Sequence, residues 1–195
     1  MAATFDMYFL CNKLLDTSLI EELLKDYEAS IETVRGIDNW MWENERDIKS
    51  LDAVNEVLNH NGIIVIKLKN PIFIDVGIYI EKVDERYLYD FWINTQDHPL
   101  MDCDAVTVQN SHIFDKIHQL VIRMNEYEKN VIQLAGAGVE SDFYNSKDIM
   151  CIIQNSYNMI TWILSDDIAT PELVSGYKKR KVDGLEMMVL EKVSS

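Results

Sequence analysis

Basic residues are scarce in this sequence. Lys and Arg number 18 among 195 residues, against 33 Asp and Glu, which gives a formal net charge of −15 at pH 7. A chain with this charge repels the phosphates of nucleic acids and the head groups of anionic lipids, so we expect neither nucleic acid nor a membrane surface as a partner. The same electrostatic argument favours a basic protein as the partner.

Cysteines and long apolar runs are also rare. Cys11, Cys103 and Cys151 are far apart and none belongs to a CxxC pair, so the sequence predicts neither a disulfide framework nor a zinc cluster. No stretch reaches the roughly 18 to 20 apolar residues that span a bilayer. The apolar run from Met7 to Cys11 is too short for the core of a signal peptide, and no basic residues precede it. We therefore expect a soluble protein of the cytoplasm.

The chain contains no linker rich in Pro, Gly and Ser, no low-complexity tract and no internal repeat. Hydrophobic residues make up 48% of the sequence and charged residues 26%, which is typical of globular proteins. A chain of this length buries roughly 70% of the surface that its unfolded form exposes, so it needs no metal or disulfide to fold. We predict one α+β domain over residues 1–195.

The common catalytic motifs are missing, because GxxxxGK[ST], HExxH and GxSxG do not occur. Gly136-Ala137-Gly138 follows a predicted strand and is similar to the start of a dinucleotide-binding fingerprint, but position 141, where the third glycine would stand, is serine. We interpret this segment as a tight turn. The sequence predicts no catalytic residue, no cofactor and no metal ion.

Polar side chains gather twice along the chain without forming a recognisable site. His112 and His118 are six residues apart and point roughly 120° away from each other on a helix, which does not suit a shared metal ion. In the loop from His98 to Asp104, the carboxylates beside Cys103 raise the pKa of its thiol and disfavour a nucleophile. An alternative remains, in which a small enzyme has its site assembled around His98, Asp102, Cys103 and His112.

The first third of the sequence predicts one strand and two helices. Thr4 to Cys11 (TFDMYFLC) is typical of a strand. Ser18 and Glu21 fit a capping box, and apolar residues at helical spacing follow as far as Tyr27. A second helix is predicted from Ser50 to about Asn59, ending at Asn61-Gly62, where glycine tolerates the left-handed conformation of a helix end.

The middle third predicts an antiparallel meander with one buried face. Its three apolar runs are Ile63 to Leu68, Ile72 to Ile80 and Tyr87 to Thr95, and the middle run alternates strictly between β-branched and other residues. A loop from Gln96 to Asn110 leads to a helix from Ser111 to about Tyr127. We expect the helices to pack on one face of the meander sheet.

The last third predicts a strand, an ambiguous segment and a C-terminal β-hairpin. Val131 to Ala135 is typical of a strand, whereas Ser146 to Leu164 fits either a helix, which we favour, or a hairpin split at Asn155-Ser156. Tyr177 to Val182 and Leu185 to Val193 flank Asp183-Gly184, a strong signal for a two-residue turn. The basic cluster from Lys178 to Lys181 lies on the first arm, where lysines protect an edge strand from aggregation.

Negative charge and tryptophan coincide near the start of the chain. Residues 1–61 contain 13 acidic and 5 basic residues, net −8, and the segment from Gly36 to Asp47 (GIDNWMWENERD) lies among them. Tryptophan is enriched at interface hot spots, and carboxylates around it steer a basic partner and pair with its arginines. An alternative is that one or both tryptophans close the core beneath a surface loop. We predict a partner-binding site formed by Asp38, Trp40, Trp42, Glu43, Glu45 and Asp47.

In size, acidity and lack of catalytic motifs, the chain is similar to bacterial cytoplasmic immunity proteins that neutralise toxin nucleases and to inhibitors that imitate DNA. We favour the immunity type, because a DNA mimic should carry closely spaced carboxylates over most of one surface. Residues 131–195 are instead nearly balanced, with 9 acidic and 6 basic residues. The alternatives are the enzyme described above and a regulatory or scaffold subunit, and the sequence leaves the oligomeric state open.

Overall fold

A computed structural model describes residues 3–25, 27–71, 75–129, 131–165, 176–181 and 187–192. The helices are α1 (Thr17–Lys25), α2 (Leu51–Asn59), α3 (Ser111–Tyr127) and α4 (Ile149–Asn155). The strands are β1 (Thr4–Cys11), β2 (Ser30–Ile37), β3 (Arg46–Asp47), β4 (Ile63–Lys69), β5 (Val76–Val83), β6 (Arg86–Asn94), β7 (Ile132–Asp142), β8 (Tyr157–Ser165), β9 (Tyr177–Lys181) and β10 (Met187–Lys192).

All ten strands form one antiparallel sheet in the order β3-β2-β4-β5-β6-β1-β7-β8-β10-β9. The mixed α+β class predicted from the sequence is confirmed. The N-terminal strand β1 lies inside the sheet, between β6 of the meander and β7 of the C-terminal part. It therefore joins the two parts of the sheet through backbone hydrogen bonds along both of its edges.

The predicted meander is present as β4, β5 and β6. The strand β5 is longer at its C-terminal end than the apolar run indicates, because it continues to Val83 and pairs there with Arg86 across a two-residue turn. Asp84 in that turn adopts a positive φ of 55°. Residues 72–74 of the predicted middle strand lie outside the described part of the chain.

The helix predictions for α2 and α3 are confirmed, and α2 shows how its ends are fixed. The Ser50 hydroxyl accepts a hydrogen bond from the backbone N–H of Ala53 at 3.2 Å, the arrangement of an N-cap. At the other end Asn61, and not Gly62, takes the left-handed conformation, with φ of 60°. Gly62 is required for another reason, since a Cβ there would lie 2.7 Å from the carbonyl oxygen of Ile37.

The prediction of a capping box for the first helix is wrong in register. The helix α1 begins at Thr17, so Ser18 lies within its first turn instead of at the N-cap. The carbonyl of Asp16 accepts the first hydrogen bonds, from the N–H groups of Leu19 and Ile20. Asp16 is itself a preferred N-cap residue, which explains why a start two residues earlier also agrees with the sequence.

The strand β2 was not predicted, and its last residues were assigned to the segment from Gly36 to Asp47. Gly36 and Ile37 instead pair with Ile64 and Ile63 of β4, so the connecting loop begins at Asp38. The strand is only half-buried over most of its length, which removes the strong apolar alternation that reveals the other strands.

The interpretation of Gly136-Ala137-Gly138 as a tight turn is wrong. These residues lie in the middle of β7, which continues from Ile132 to Asp142. A Cβ on Gly136 would lie 2.7 Å from the indole of the fully buried Trp162 on the neighbouring strand β8. The glycine is needed because the indole ring packs directly on the backbone of β7.

The segment from Ser146 to Leu164 contains both elements between which the sequence could not decide. It forms the short helix α4 over Ile149–Asn155 and then the strand β8 over Tyr157–Ser165. The favoured single helix is therefore wrong beyond Asn155. The two predicted arms of the C-terminal hairpin are present as the paired strands β9 and β10, and the predicted turn at Asp183-Gly184 lies outside the described residues.

The helices α1, α2 and α3 cover one face of the sheet, where the main core includes Phe5, Phe9, Ile66, Tyr89 and Val121. On the opposite face, different elements pack on different parts of the sheet. Under α4, a second cluster includes Leu10, Leu134, Ile152, Trp162 and Leu190. Of the helices in the described part of the chain, only α4 contributes to this second cluster. Among the described residues, no helix packs on the part of this face around Tyr79, where the loop between β2 and β3 lies.

We expect Gly136→Ala to lower the free energy of unfolding by about 1–3 kcal/mol, because the added methyl group enters the space of a buried indole. Urea unfolding followed by tryptophan fluorescence measures this loss. The double variant Gly136→Ala/Trp162→Phe provides the control, since the smaller ring relieves the clash and its total loss should be less than the sum of the two single losses. Additive losses would contradict the proposed packing.

Candidate functional site

The predicted partner-binding segment forms a compact loop of residues 38–45 between β2 and β3. The backbone N–H of Asp38 donates to the carbonyl of Glu43 at 3.0 Å, and that of Trp42 donates to the carbonyl of Asn39 at 3.0 Å. Trp42 and Asn44 both adopt positive φ angles, 59° and 53°, which closes the turn. We call residues 38–47 the tryptophan loop.

Two arginines hold the carboxylates of the tryptophan loop. Arg46 donates to Asp38 at 2.8 Å, and Arg35 pairs with Glu45 and lies 3.9 Å from Asp47. The hydrogen bonds from Arg46 and Asn44 lower the pKa of Asp38, so this carboxylate is ionised at neutral pH. The ion pairs fix the loop conformation, and they also neutralise part of the negative charge that the sequence places there.

The remaining residues of the predicted site are Trp40, Trp42 and Glu43, and all three are exposed to solvent. Glu43 accepts a hydrogen bond from the side chain of Asn39 at 2.7 Å. Trp40 is 50% exposed, Trp42 is 43% exposed, and Met41 between them is 82% exposed. Neither tryptophan belongs to a buried core cluster, so the two rings do not close the core beneath the loop.

The tryptophan loop lies on the face of the sheet opposite to α1, α2 and α3. The Trp40 ring meets Tyr79 of β5 edge-on, with ring centroids 4.9 Å apart. Trp42 lines a cavity of about 270 Å³ together with Thr33, Arg35 and Val65. The loop and the sheet thereby form a continuous surface on which both tryptophans are accessible.

Acidic and aromatic side chains alternate across the neighbouring strands on this face. Asp90 of β6 is opposite Tyr79 of β5 on one side and Tyr8 of β1 on the other, and Trp92 is opposite Asp6. The rings of Tyr79 and Trp92 stack with centroids 5.7 Å apart at an angle of 23°. Asp6, Tyr8, Tyr79, Glu81, Asp90 and Trp92 together form what we call the acid–aromatic face.

Two carboxyl groups of the acid–aromatic face, those of Asp6 and Asp90, have pKa values above the ordinary value for Asp. Burial, together with the charges of Asp6 and Glu81, raises the pKa of Asp90 to about 8. Burial also raises the pKa of Asp6 to about 6, although hydrogen bonds from Ser141 and Thr4 partly oppose this effect. At pH 7 Asp90 is therefore mostly neutral while Asp6 is mostly ionised.

Two polar atoms of this face are buried without a hydrogen-bond partner among the described residues. They are Oδ1 of Asp90 and Nε1 of Trp92. Asp6, in contrast, accepts hydrogen bonds from the backbone of Ser141 and the hydroxyl of Thr4, both at 3.3 Å. Asp90 is half-buried and lies opposite Tyr8 and Tyr79 in the strand register, a position that suits a cationic side chain because a carboxylate and aromatic faces both attract an ammonium or guanidinium group.

The sequence contains a signal for this face that the analysis of motifs misses. Asp6 and Asp90 are single acids inside apolar strands, where alternation places them beside buried neighbours on the same face. A carboxyl group in that position loses its hydration, so it is either paired or shifted in pKa. Such isolated acids in otherwise apolar strands are better markers of a site than the acid-rich segments of this chain.

The alternative enzymatic site is only partly assembled. His98 and His112 both line an apolar cavity on the opposite, helix-covered face, but Asp102 and Cys103 do not line it. Burial raises the pKa of the Cys103 thiol, and the nearby Asp104 and Asp102 act in the same direction. A neutral thiol is a poor nucleophile, which weighs against catalysis by Cys103.

The two histidines of the third helix are separated as their spacing predicts. His112 is exposed, whereas His118 is buried and accepts a hydrogen bond at Nδ1 from Arg180 of β9 at 2.7 Å. Arg180 also pairs with Asp115 at 3.1 Å, so this group attaches an edge strand to α3. Burial and the charge of Arg180 lower the pKa of His118 to about 4.

Within the described ranges, no group of three or more His, Cys, Asp or Glu side chains could hold a metal ion.

Searches of protein-family models, curated proteins and solved structures give no match to this chain. Among the described residues, no helix is long and apolar enough to cross a membrane.

We expect Asp90→Asn to stabilise the protein increasingly as the pH rises above about 4. The folded-state pKa of Asp90 lies above its ordinary value of 3.8. Neutral Asp90 therefore favours the folded state fully below about pH 4, and this contribution is lost as the pH rises towards 8. At pH 9 the variant should be about 1–3 kcal/mol more stable than the wild type, because it has no buried charge, and at pH 4.5 the difference should be small.

Urea unfolding of both proteins at pH 4.5 and 9 measures this dependence. Asp104→Asn is the matched control, since it removes an exposed carboxyl group and should change stability equally at both pH values. An Asp90→Asn effect that is independent of pH would contradict the raised pKa.

Proposed function

We propose that the protein is a non-catalytic binding protein that sequesters a basic protein partner through the tryptophan loop and the acid–aromatic face. The observation that carries this proposal is the position of Trp40 and Trp42. Both are half-exposed on a loop held by ion pairs, and Trp40 contacts Tyr79 of the acid–aromatic face.

Pre-organisation is the first support for an interface. The loop is already fixed by Arg35 and Arg46, so it loses little conformational freedom on binding. The favourable free energy of burying its aromatic rings is therefore offset less by the cost of ordering the loop, and more of it remains as affinity. Tryptophan is among the residues most enriched at binding hot spots, particularly where surrounding contacts exclude water. Trp40, Met41 and Trp42 provide such an anchor at the tip of the loop.

Charge is the second support, and it acts at two distances. At long range, the net charge of −15 attracts a basic protein and accelerates its encounter with the chain. At short range, Asp38, Glu45 and Asp47 are occupied by the two arginines, so they contribute less than the sequence indicates. We assign the direct contact with a basic side chain to Asp90, which is half-buried and makes no ion pair within the described ranges.

The proposed class of partner rests on the acidic composition of the chain. An acidic chain with a pre-organised aromatic anchor suits an inhibitor that covers the basic active site of a nuclease-type toxin. We therefore propose an immunity-type inhibitor, of bacterial origin and acting in the cytoplasm. Its three cysteines are all free, which is compatible with a reducing compartment.

Affinity capture from the native host at low salt tests this proposal. We expect to recover a protein of high isoelectric point, whose purified form binds with a dissociation constant that rises steeply between 50 and 300 mM salt. Trp42→Ala should weaken this binding at least tenfold, in the range of a hot-spot residue.

Leu51→Ala is the matched control, because Leu51 is also an exposed large hydrophobic residue, at 54%, but lies on α2. Charge reversal of Asp38, Glu43 and Glu45 together is a less specific test, since it also breaks the ion pairs that hold the loop. Equal affinity of the wild type and Trp42→Ala would exclude the tryptophan loop from the interface. A captured partner without excess basic charge would exclude the electrostatic mechanism.

Binding of a cationic side chain beside Asp90 should release a proton. In the free protein at pH 7 this carboxyl group is mostly neutral, with a pKa of about 8, and a neighbouring positive charge favours its ionised form. Calorimetric titrations of the partner in phosphate and in Tris should give different heats, because the two buffers take up the released proton with different enthalpies.

The difference between the two buffers should disappear in Asp90→Asn and persist in Asp104→Asn. Identical heats for the wild type in both buffers would show that Asp90 does not contact the partner.

A further inference from the structure

The helix-covered face of the sheet contains an apolar cavity of about 460 Å³. It lies between α1, α3 and the strands below them, and it is separate from the acid–aromatic face on the other side of the sheet. Its lining includes Ile20 and Leu24 of α1, Phe91 and Ile93 of β6, and Ile117 and Leu120 of α3.

The cavity is larger than the voids of a packed core, and it is open to solvent on the side of His112 and Lys116. Cores pack as densely as organic crystals, and they contain few voids larger than a water molecule. Cavities that bind small molecules have volumes of about 300–1,000 Å³ and mostly apolar walls with a few polar groups. The cavity therefore has the dimensions of a ligand site, and its walls select a ligand with an apolar body.

Three of the six polar residues that line the cavity are basic. Lys116 and His112 lie one turn apart on α3, and His98 comes from the connection between β6 and α3. Both Lys116 and His112 are exposed to solvent, so they mark the open side of the cavity. Glu28 also lines it and is the only acidic residue among the lining residues that the structure describes.

The end of α1 is attached to α3 near this open side. The Tyr27 hydroxyl donates to the backbone carbonyl of Lys116 at 3.4 Å. This contact brings the lysine of α3 close to the C-terminal end of α1, where Leu24 forms part of the apolar wall. A ligand with an anionic group at one end and an alkyl chain at the other would match both parts of the cavity.

We propose that this cavity binds an unbranched monocarboxylic acid of medium chain length. The alkyl chain lies between α1, α3 and β6, and the carboxylate pairs with Lys116. A cationic head group is disfavoured by Lys116, although the net charge of −15 attracts cations to the protein as a whole. Preference for the anion over a cation of equal chain length is therefore the distinguishing property of the site.

Calorimetric titration of the full chain with decanoate and with decyltrimethylammonium, both below their micelle concentrations, tests the proposal. We expect decanoate to bind in a 1:1 ratio and at least tenfold more tightly than the cation. Tighter binding of the cation, or decanoate binding without a defined ratio, would overturn the proposal.

Variants of the lining residues test where the ligand lies. Lys116→Gln should weaken decanoate binding at least fivefold, and Glu28→Gln should strengthen it because it removes a repulsive charge. Lys129→Gln is the matched control for charge, since Lys129 is exposed after the end of α3 and does not line the cavity. Equal effects of Lys116→Gln and Lys129→Gln would overturn the assignment of the carboxylate.

A bulkier side chain in the wall of the cavity should weaken ligand binding. Ile113 lines the cavity and is only partly buried, so Ile113→Phe enlarges a side chain there with little strain on the core. We expect this variant to lose decanoate binding at least tenfold while its circular dichroism spectrum is unchanged. Full affinity in a folded Ile113→Phe protein would show that decanoate binds elsewhere. If that variant fails to fold, the exposed Lys116 and Glu28 variants still decide the question.

Discussion

The burial of both faces of β1 is the constraint on which the rest of the structure depends. This strand is paired along both edges, with β6 and β7, and its alternating side chains enter two separate cores. Phe5 and Phe9 pack beneath the helices, whereas Tyr8 and Leu10 pack on the opposite face. Asp6 shares the second face because of the period of two along a strand. A carboxyl group is thereby placed at the centre of a ten-stranded sheet, where its hydration is lost.

Uneven cover of that second face creates the candidate site. The helix α4 protects the part around Trp162, whereas among the described residues the tryptophan loop lies on the part around Tyr79. Aromatic rings and carboxyl groups consequently share a surface that is shielded enough to shift pKa values but is only half-buried. The ion pairs of Arg35 and Arg46 then position Trp40 and Trp42 beside it. Acidic and aromatic side chains therefore lie at one place, as the proposed recognition of a basic protein requires.

Prediction from the sequence succeeded where local pattern and tertiary environment agree. The β-branched and aromatic composition of β1 and the apolar stripes of α2 and α3 each contain enough information to fix an element. It failed for β2 and for β8, because their conformation depends on strands that are distant in sequence. The Gly136 segment shows the same limit, since the need for glycine arises from the indole of Trp162 and not from a turn. The same limit applies to the residues of the candidate site. The tryptophan loop is contiguous, whereas Asp6 and Asp90 become neighbours only through pairing of β1 with β6.

The sequence by itself determined the acidic character of this chain, its α+β class and the position of the tryptophans within a segment rich in carboxylates. These properties depend on composition and on short-range periodicity, which a linear chain displays directly. The tertiary structure decided which carboxylates are held by arginines, which carboxyl oxygen is buried without a partner among the described residues, and which part of the sheet the described helices leave uncovered. Those properties depend on hydration and on contacts between distant residues, and both are set only when the strands have paired.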